Sequence, residues 1–165
     1  MAVLCACGVA LADLAAPAEL PFGPPPKPAR GPNLATALAL AQATLSECAA
    51  RGIAVSVSVV DSAGLAKVTL GADDSTGKTQ TSVRKAATAV AFKAKGSELE
   101  RRASTSAEFA AQIAANPEYN AHPGSVPLWI GGELVGGIGV TGAATHQDDE
   151  ACAAAALAKI KVEAH

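Results

Sequence analysis

Aromatic side chains are scarce. Phe22, Phe92, Phe109, Tyr119 and Trp129 make up 3% of the 165 residues, too few and too scattered for a base-stacking platform. Positive charge is not in excess either: 13 Lys and Arg stand against 15 Asp and Glu, a formal charge of −2. A general nucleic-acid binder needs surplus cations to displace condensed counterions, so nucleic acid is not an expected partner. The four cysteines, Cys5, Cys7, Cys48 and Cys152, contain no C-x-x-C pair, which argues against a zinc cage and against C-x-x-C-H haem attachment. After the first dozen residues no apolar run approaches the roughly 18 residues of a membrane span, and none is expected. A Ser-His-Asp order, a G-x-S-x-G elbow, a paired-carboxylate motif and a phosphate loop are all missing.

What is present divides the chain in two. Seven of the 10 prolines fall between Pro17 and Pro32, where missing amide donors and fixed φ favour an extended polyproline II spacer. Residues 1–32 therefore read as an apolar leader plus a Pro-rich linker, and residues 33–165 as one domain large enough to form a core without staples. The leader ends in Ala10-Leu11-Ala12, a small-x-small pattern resembling a secretory cleavage site, yet no Lys or Arg precedes it. Two locations stay open: secreted or periplasmic if residues 1–12 are a signal peptide, cytoplasmic otherwise. Cys48 and Cys152 would pair in the first case and serve as small core residues in the second.

Within the body, Leu34, Leu38, Ala41, Leu45 and Cys48 recur at helical spacing and predict a helix over 33–50 with that stripe turned inward. Val55, Val57 and Val59 alternate with Ser56 and Ser58, a strand with two unlike faces over 53–61. Asp61-Ser-Ala-Gly64 is turn chemistry, and residues 65–70 should return antiparallel. A second helix follows over 78–95. One or two short helices fill 97–115, capped by Ser97 and Ser106 and stopped by Asn116-Pro117. Residues 126–130 and 133–140 make a hairpin about Gly131-Gly132, and a helix over 147–163 begins with Asp148, Asp149 and Glu150 at the positive end of its dipole. Hairpin connections give antiparallel neighbours, so the pattern is α/β of the α+β kind, an antiparallel sheet with helices packed on it.

Four places could carry chemistry. Gly137-Ile-Gly139-Val-Thr-Gly142 matches G-x-G-x-x-G, but a dinucleotide fold needs a further parallel strand that the remaining residues do not supply. Its glycines are better read as letting a helix, a subunit or a ligand approach the backbone. His122 and His146 lie at turn-rich or helix-starting positions where imidazole could ligate haem iron or another transition metal, though exposed histidines are more often plain surface. His165 is terminal. Lys78, Arg84, Lys85, Lys93, Lys95, Arg101 and Arg102 form the one basic stretch, which suits a carboxylate ligand or simply a solvated helix face. Lys85 stands out because it borders an Ala-rich apolar face, where a cation could edge a pocket.

From about Leu34 to Ile160 the chain resembles the GlcG/HbpS-like haem-binding family. The resemblance rests on Gly52-Ile-Ala-Val-Ser-Val-Ser-Val-Val-Asp61-Ser-Ala-Gly64, on Arg84-Lys-Ala-Ala-Thr-Ala89, on Val126-Pro-Leu128, and on Gly132-Glu-Leu-Val-Gly-Gly-Ile-Gly-Val-Thr-Gly142 followed by Gln147-Asp-Asp-Glu150. It implies a profilin-like, five-stranded antiparallel sheet with helices on both faces, a homo-oligomer, and haem as cofactor in sensing, scavenging or degradation. Lys85, Thr141 and Gly142 fall on family motif positions, while His122 and His146 are candidate iron ligands by their own chemistry, with Lys or Arg side chains as partners for propionates. Gly71-Ala-Asp-Asp-Ser-Thr-Gly77 departs from the family's usual Arg-x-Asp-Gly-Ala loop, which leaves the ligand open. Two alternatives stand beside haem: an enzyme or binding protein for a small glycolate-like acid whose carboxylate Arg84 and Lys85 would hold, and an oligomeric interaction module without a small ligand.

Overall fold

The structure, a computed structural model, describes residues 29–162. The leader, most of the Pro-rich linker, Cys5, Cys7 and His165 lie outside the described residues. Helix α1 (Leu34–Ala49) starts at Asn33, whose side chain accepts the Thr36 amide at 2.8 Å. Strands β1 (Ser56–Asp61) and β2 (Ala66–Gly71) form the expected hairpin, with the Asp61 carboxylate accepting the Ala63 and Leu65 amides and Gly64 at φ +80° closing the turn. Helices α2 (Thr79–Phe92), α3 (Gly96–Thr105) and α4 (Ala107–Ala115) come next. Strands β3 (Ser125–Ile130) and β4 (Glu133–Thr141) turn at Gly131 and Gly132, both at positive φ, and α5 (His146–Lys159) ends the order.

All pairings are antiparallel, in the order β2-β1-β4-β3. The sheet thus has four strands among the described residues, as the strand-by-strand reading expects, and not the five that the resemblance implies. Nearest to a fifth strand is Pro32, an isolated bridge residue. Proline has no amide to donate, so the segment 29–32 cannot extend a ladder through it. It docks by other contacts: the Arg30 carbonyl accepts the Ser62 amide at 2.8 Å and the Arg30 side chain pairs with Glu133.

Helices cover both faces. On one, α1 and α5 bury Ala37, Leu40, Ala41, Cys152, Ala153 and Ala156 against Val57, Val59, Leu128, Ile138 and Val140. Cys48 and Cys152 are disulfide-bonded there, with Cα atoms 5.4 Å apart. The inward stripe of α1 differs from the expected one, since Leu34 and Leu38 are exposed while Ala37, Leu40 and Thr44 are buried. Almost every side of α1 is apolar, so spacing alone could not choose the face; small residues win because they let two helices and a sheet approach closely.

On the other face α2 lies across β4. A Cβ at Gly139 would fall 2.1 Å from the Ser82 carbonyl oxygen and one at Gly137 2.8 Å from that of Ala86, so the glycines of the G-x-G-x-x-G match seat a helix. Ser58 is hydrogen-bonded to Ser82 at 2.7 Å and to Thr69 at 3.0 Å. Ser106 caps α4 through the Phe109 amide at 3.2 Å. Ser97 does not cap α3: the helix begins one residue earlier, after Lys95, and Ser97 turns to α5, giving its amide and hydroxyl to the Glu150 carboxylate at 2.9 and 2.5 Å. A carboxylate is the stronger acceptor, which explains the exchange.

Candidate functional site

The residues of the candidate site meet where α2 passes the end of β4 and the start of α5. Lys85 and Asp149 are each 1% exposed, and the Lys85 Nζ donates to Asp149 Oδ2 and to the Val140 carbonyl, both at 3.0 Å. Asp149 Oδ1 accepts the Ala143 amide at 2.9 Å, and Thr145 caps α5 through the Asp148 amide at 3.2 Å. Gly124, at φ +116°, packs on top; a Cβ there would be 2.7 Å from Lys85 Nζ. The lysine is thus an internal clamp between α2 and α5, with its donors taken up by protein, and it does not face a pocket. Desolvation pushes its ammonium below the ordinary lysine value, opposed by the charge and hydrogen bond of Asp149 and more weakly by Glu150 and Glu100. A buried lysine keeps its charge only with such a partner.

Thr141 and Gly142 serve the same corner. Thr141 is buried opposite Ser56 in the ladder, and Gly142 turns the chain at φ +136°, with no room for a Cβ beside the Ala54 carbonyl. They shape the connection into α5.

His122 and His146, far apart in sequence, are stacked at the surface with ring centroids 4.9 Å apart and an interplanar angle of 25°. Their neighbours differ in kind. The Nδ1 of His122 faces Glu100 Oε1 at 3.2 Å. The carboxylate accepts, so Nδ1 is the donor of this contact and Nε2 is the ring nitrogen left without a protein partner. The Nδ1 of His146 faces Lys85 Nζ at 3.5 Å. The same Nδ1 lies 3.8 Å from Asp149 Oδ2, so the His146 ring faces the buried Lys85–Asp149 pair, whereas His122 faces a single half-exposed carboxylate. The Glu100–His122 pair is also the arrangement that fixes ring orientation and raises basicity in metal-ligating histidines.

Beside His122 runs an apolar groove of about 380 Å³ between α3, α4 and the 116–122 loop; Ala103, Ala110, Ile113, Tyr119 and Ala121 line it with His122 at its edge. Glu150 braces this edge, accepting the Gly124 amide at 3.2 Å as well as Ser97. A flat apolar macrocycle with an iron needs a hydrophobic slot and an imidazole with a free nitrogen, and both are present. No cluster of three or more metal-ligating side chains occurs among the described residues.

Of the sequence candidates, His122, His146 and Lys85 come together, Thr141 and Gly142 support their corner, and Arg84 stands apart near Glu118 at 3.9 Å. Glu100, Asp149 and Glu150 escaped the sequence reading. Asp149 and Glu150 were visible only as first-turn acids, which look the same whether they complement a dipole in water or hold a buried lysine and a neighbouring helix.

Comparison with known proteins gives the family and the fold. A double-mutant form of HbpS from Streptomyces reticuli is 31% identical over 93% of this chain and 99% of its own, with a TM-score of 0.74. Another HbpS crystal structure is 33% identical over 79% of this chain and 91% of its own, at 0.73. A PduOC complex with haem is 27% identical over 82% of this chain and 99% of its own, at 0.71. No protein of curated function matches the chain. Residues 33–158 match the family described as haem degrading protein HbpS-like, and the chain belongs to that family.

Proposed function

We propose that this protein binds haem in the groove between α3, α4 and the 116–122 loop, with His122 as the iron ligand. The observation that carries this reading is the Glu100–His122 contact at the edge of an apolar slot, which engages Nδ1 and leaves Nε2 without a protein partner. Family membership and a relative solved as a haem complex support the cofactor. Bound haem would bring iron redox and ligand chemistry to the site. The chain's own residues bind and orient: Ala103, Ile113 and Ala121 exclude water from one side, and Glu100 holds the His122 ring. On α3, Arg102 lies over the Phe109 ring at 4.0 Å, so the exposed Arg101 is the cation we assign to a propionate. Lys85 is already committed to Asp149. Sensing, scavenging and degradation all begin with haem binding, and binding is the step this geometry favours. The buried Cys48–Cys152 disulfide favours an oxidising compartment as the place of action.

Haemin titration followed by visible absorption tests the ligand. His122→Ala should abolish the ligated spectrum, whereas His146→Ala should keep it. Glu100→Ala should weaken affinity by about tenfold, as loss of an orienting carboxylate does. If His146→Ala is the variant that loses the spectrum, or if neither does, the assignment of His122 is wrong.

A further inference from the structure

A second hollow, of about 490 Å³, opens between α2 and the β1–β2 turn and shares only Tyr119 with the haem groove. Leu65, Val83, Ala87, Val90 and Leu134 give it apolar walls. Gly64 makes the enclosure tight: its φ of +80° swings the hairpin tip onto α2, where an added Cβ would already touch Ala87 at 3.3 Å. Leu65, at the rim, is 64% exposed, so a large apolar side chain stands in water with one flank toward the hollow.

Charge in the lining is uneven. Arg84 and Lys93 contribute two cations and Glu118 one anion. Glu118 does not satisfy Arg84, because the closest approach of their charged atoms, 3.9 Å, exceeds hydrogen-bond reach. The Arg84 Nε is buried and has no hydrogen-bond partner. With Nε sealed from solvent, a carboxylate reaches this half-exposed arginine at its two Nη atoms, which also offer a pair of parallel N–H donors.

We propose that this hollow is a binding site for a monocarboxylate with an apolar body, such as an aryl or short-chain fatty acid. Its head group would lie on Arg84, with Lys93 adding long-range attraction, and its body on Leu65, Val83 and Val90. Glu118 acts as the competitor that a ligand carboxylate displaces. A glycolate-like acid lacks the apolar body these walls select, and the lysine that sequence reading paired with Arg84 is clamped elsewhere, so the site differs from a hydroxy-acid centre at Arg84 and Lys85.

Phenylacetate is the probe, titrated into the full chain and followed by amide NMR. Shifts should concentrate at residues 62–65, 83–93 and 118–119, with a dissociation constant of about 1 mM, what a ligand of that size reaches in an open site. Phenylacetamide, which keeps the ring but not the charge, and glycolate, which keeps the charge but not the ring, should each bind at least about tenfold more weakly. Arg84→Met, which retains the aliphatic stem, should cost at least about tenfold in affinity. Glu118→Gln should tighten binding by about threefold, and this exposed substitution keeps the test alive if Arg84→Met folds poorly. Shifts centred on Ala103, Ile113 and His122, equal binding of phenylacetamide, or no shifts at about twentyfold the expected constant would each overturn the proposal.

Discussion

The two faces of the sheet are built from the same alternating strands and end up chemically unlike. Toward α1 and α5, Val57, Val59, Leu128, Ile138 and Val140 are almost wholly buried among alanines and the disulfide. Toward α2, the facing row holds Ser56, Ser58, Gly137, Gly139 and Ser125 beside Val60, with the Ser56 hydroxyl bonded to Ser75, that of Ser58 to Ser82 and Thr69, and that of Ser125 buried without a partner. Each apolar side chain on the first face contributes roughly 1.5–3 kcal/mol by leaving water. The second face gains less from burial and is held by hydrogen bonds, close backbone approach and one buried ion pair. A dry face can fix the fold without help from the other, which leaves the α2 side able to carry polar groups, a stacked histidine pair and two open hollows.

Removing the staple from the dry face should have the largest effect. The Cys48–Cys152 bond spans 104 residues, and closing a loop of that size in the unfolded chain is worth about 4.7 kcal/mol on the chain-entropy account. Cys48→Ala with Cys152→Ala should therefore lower the unfolding free energy in urea by about that amount while sparing the haemin spectrum. A loss below about 1 kcal/mol would mean that packing alone holds α1 to α5.

On the polar face the corresponding element is Lys85–Asp149. Asp149→Ala leaves a buried ammonium without its counter-charge and should cost about 4 kcal/mol, whereas Lys85→Met combined with Asp149→Leu should recover most of that loss. The pair also gives a pH signature. Lys85 has a lower pKa folded than unfolded, so in the alkaline range below 10.5 the unfolded chain binds more protons at this site and its contribution to stability rises with pH. The wild type should thus gain on the double variant as pH climbs through that window; a constant gap would show that Lys85 is not desolvated as its burial indicates.

The element order was legible in the sequence because β1 alternates valine with serine and Gly64, Gly131 and Gly132 mark turns by a backbone requirement. The buried side of α1 was not, since Leu34 and Leu38 satisfy the same spacing as the residues that pack. His122 and His146 could be named as candidates from residue type and loop context. That they stack, and that Glu100 meets one ring and Lys85 the other, depends on contacts 22 and 61 residues apart in sequence, beyond the reach of any local pattern. Lys85 was singled out for bordering an apolar face; its partner Asp149 sits 64 residues on, so a clamp and a pocket-edge cation read alike.

Adjacent residues of β4 allow the two faces to be compared within one strand. Ile138 points to α1 and α5, where Ile138→Val removes one methylene and should cost about 1 kcal/mol by transfer and cavity terms. Gly139 points to α2, where Gly139→Ala adds one methyl that would sit 2.1 Å from the Ser82 carbonyl. A backbone oxygen cannot swing aside as a side chain can, so α2 must lift as a unit, straining the Ser58–Ser82 bond and the Lys85 clamp; about 3 kcal/mol is expected. Urea unfolding of the two variants measures the contrast. If Gly139→Ala proves the milder of the two, α2 has slack that its hydrogen bonds do not reveal, and the polar face is held by the ion pair alone.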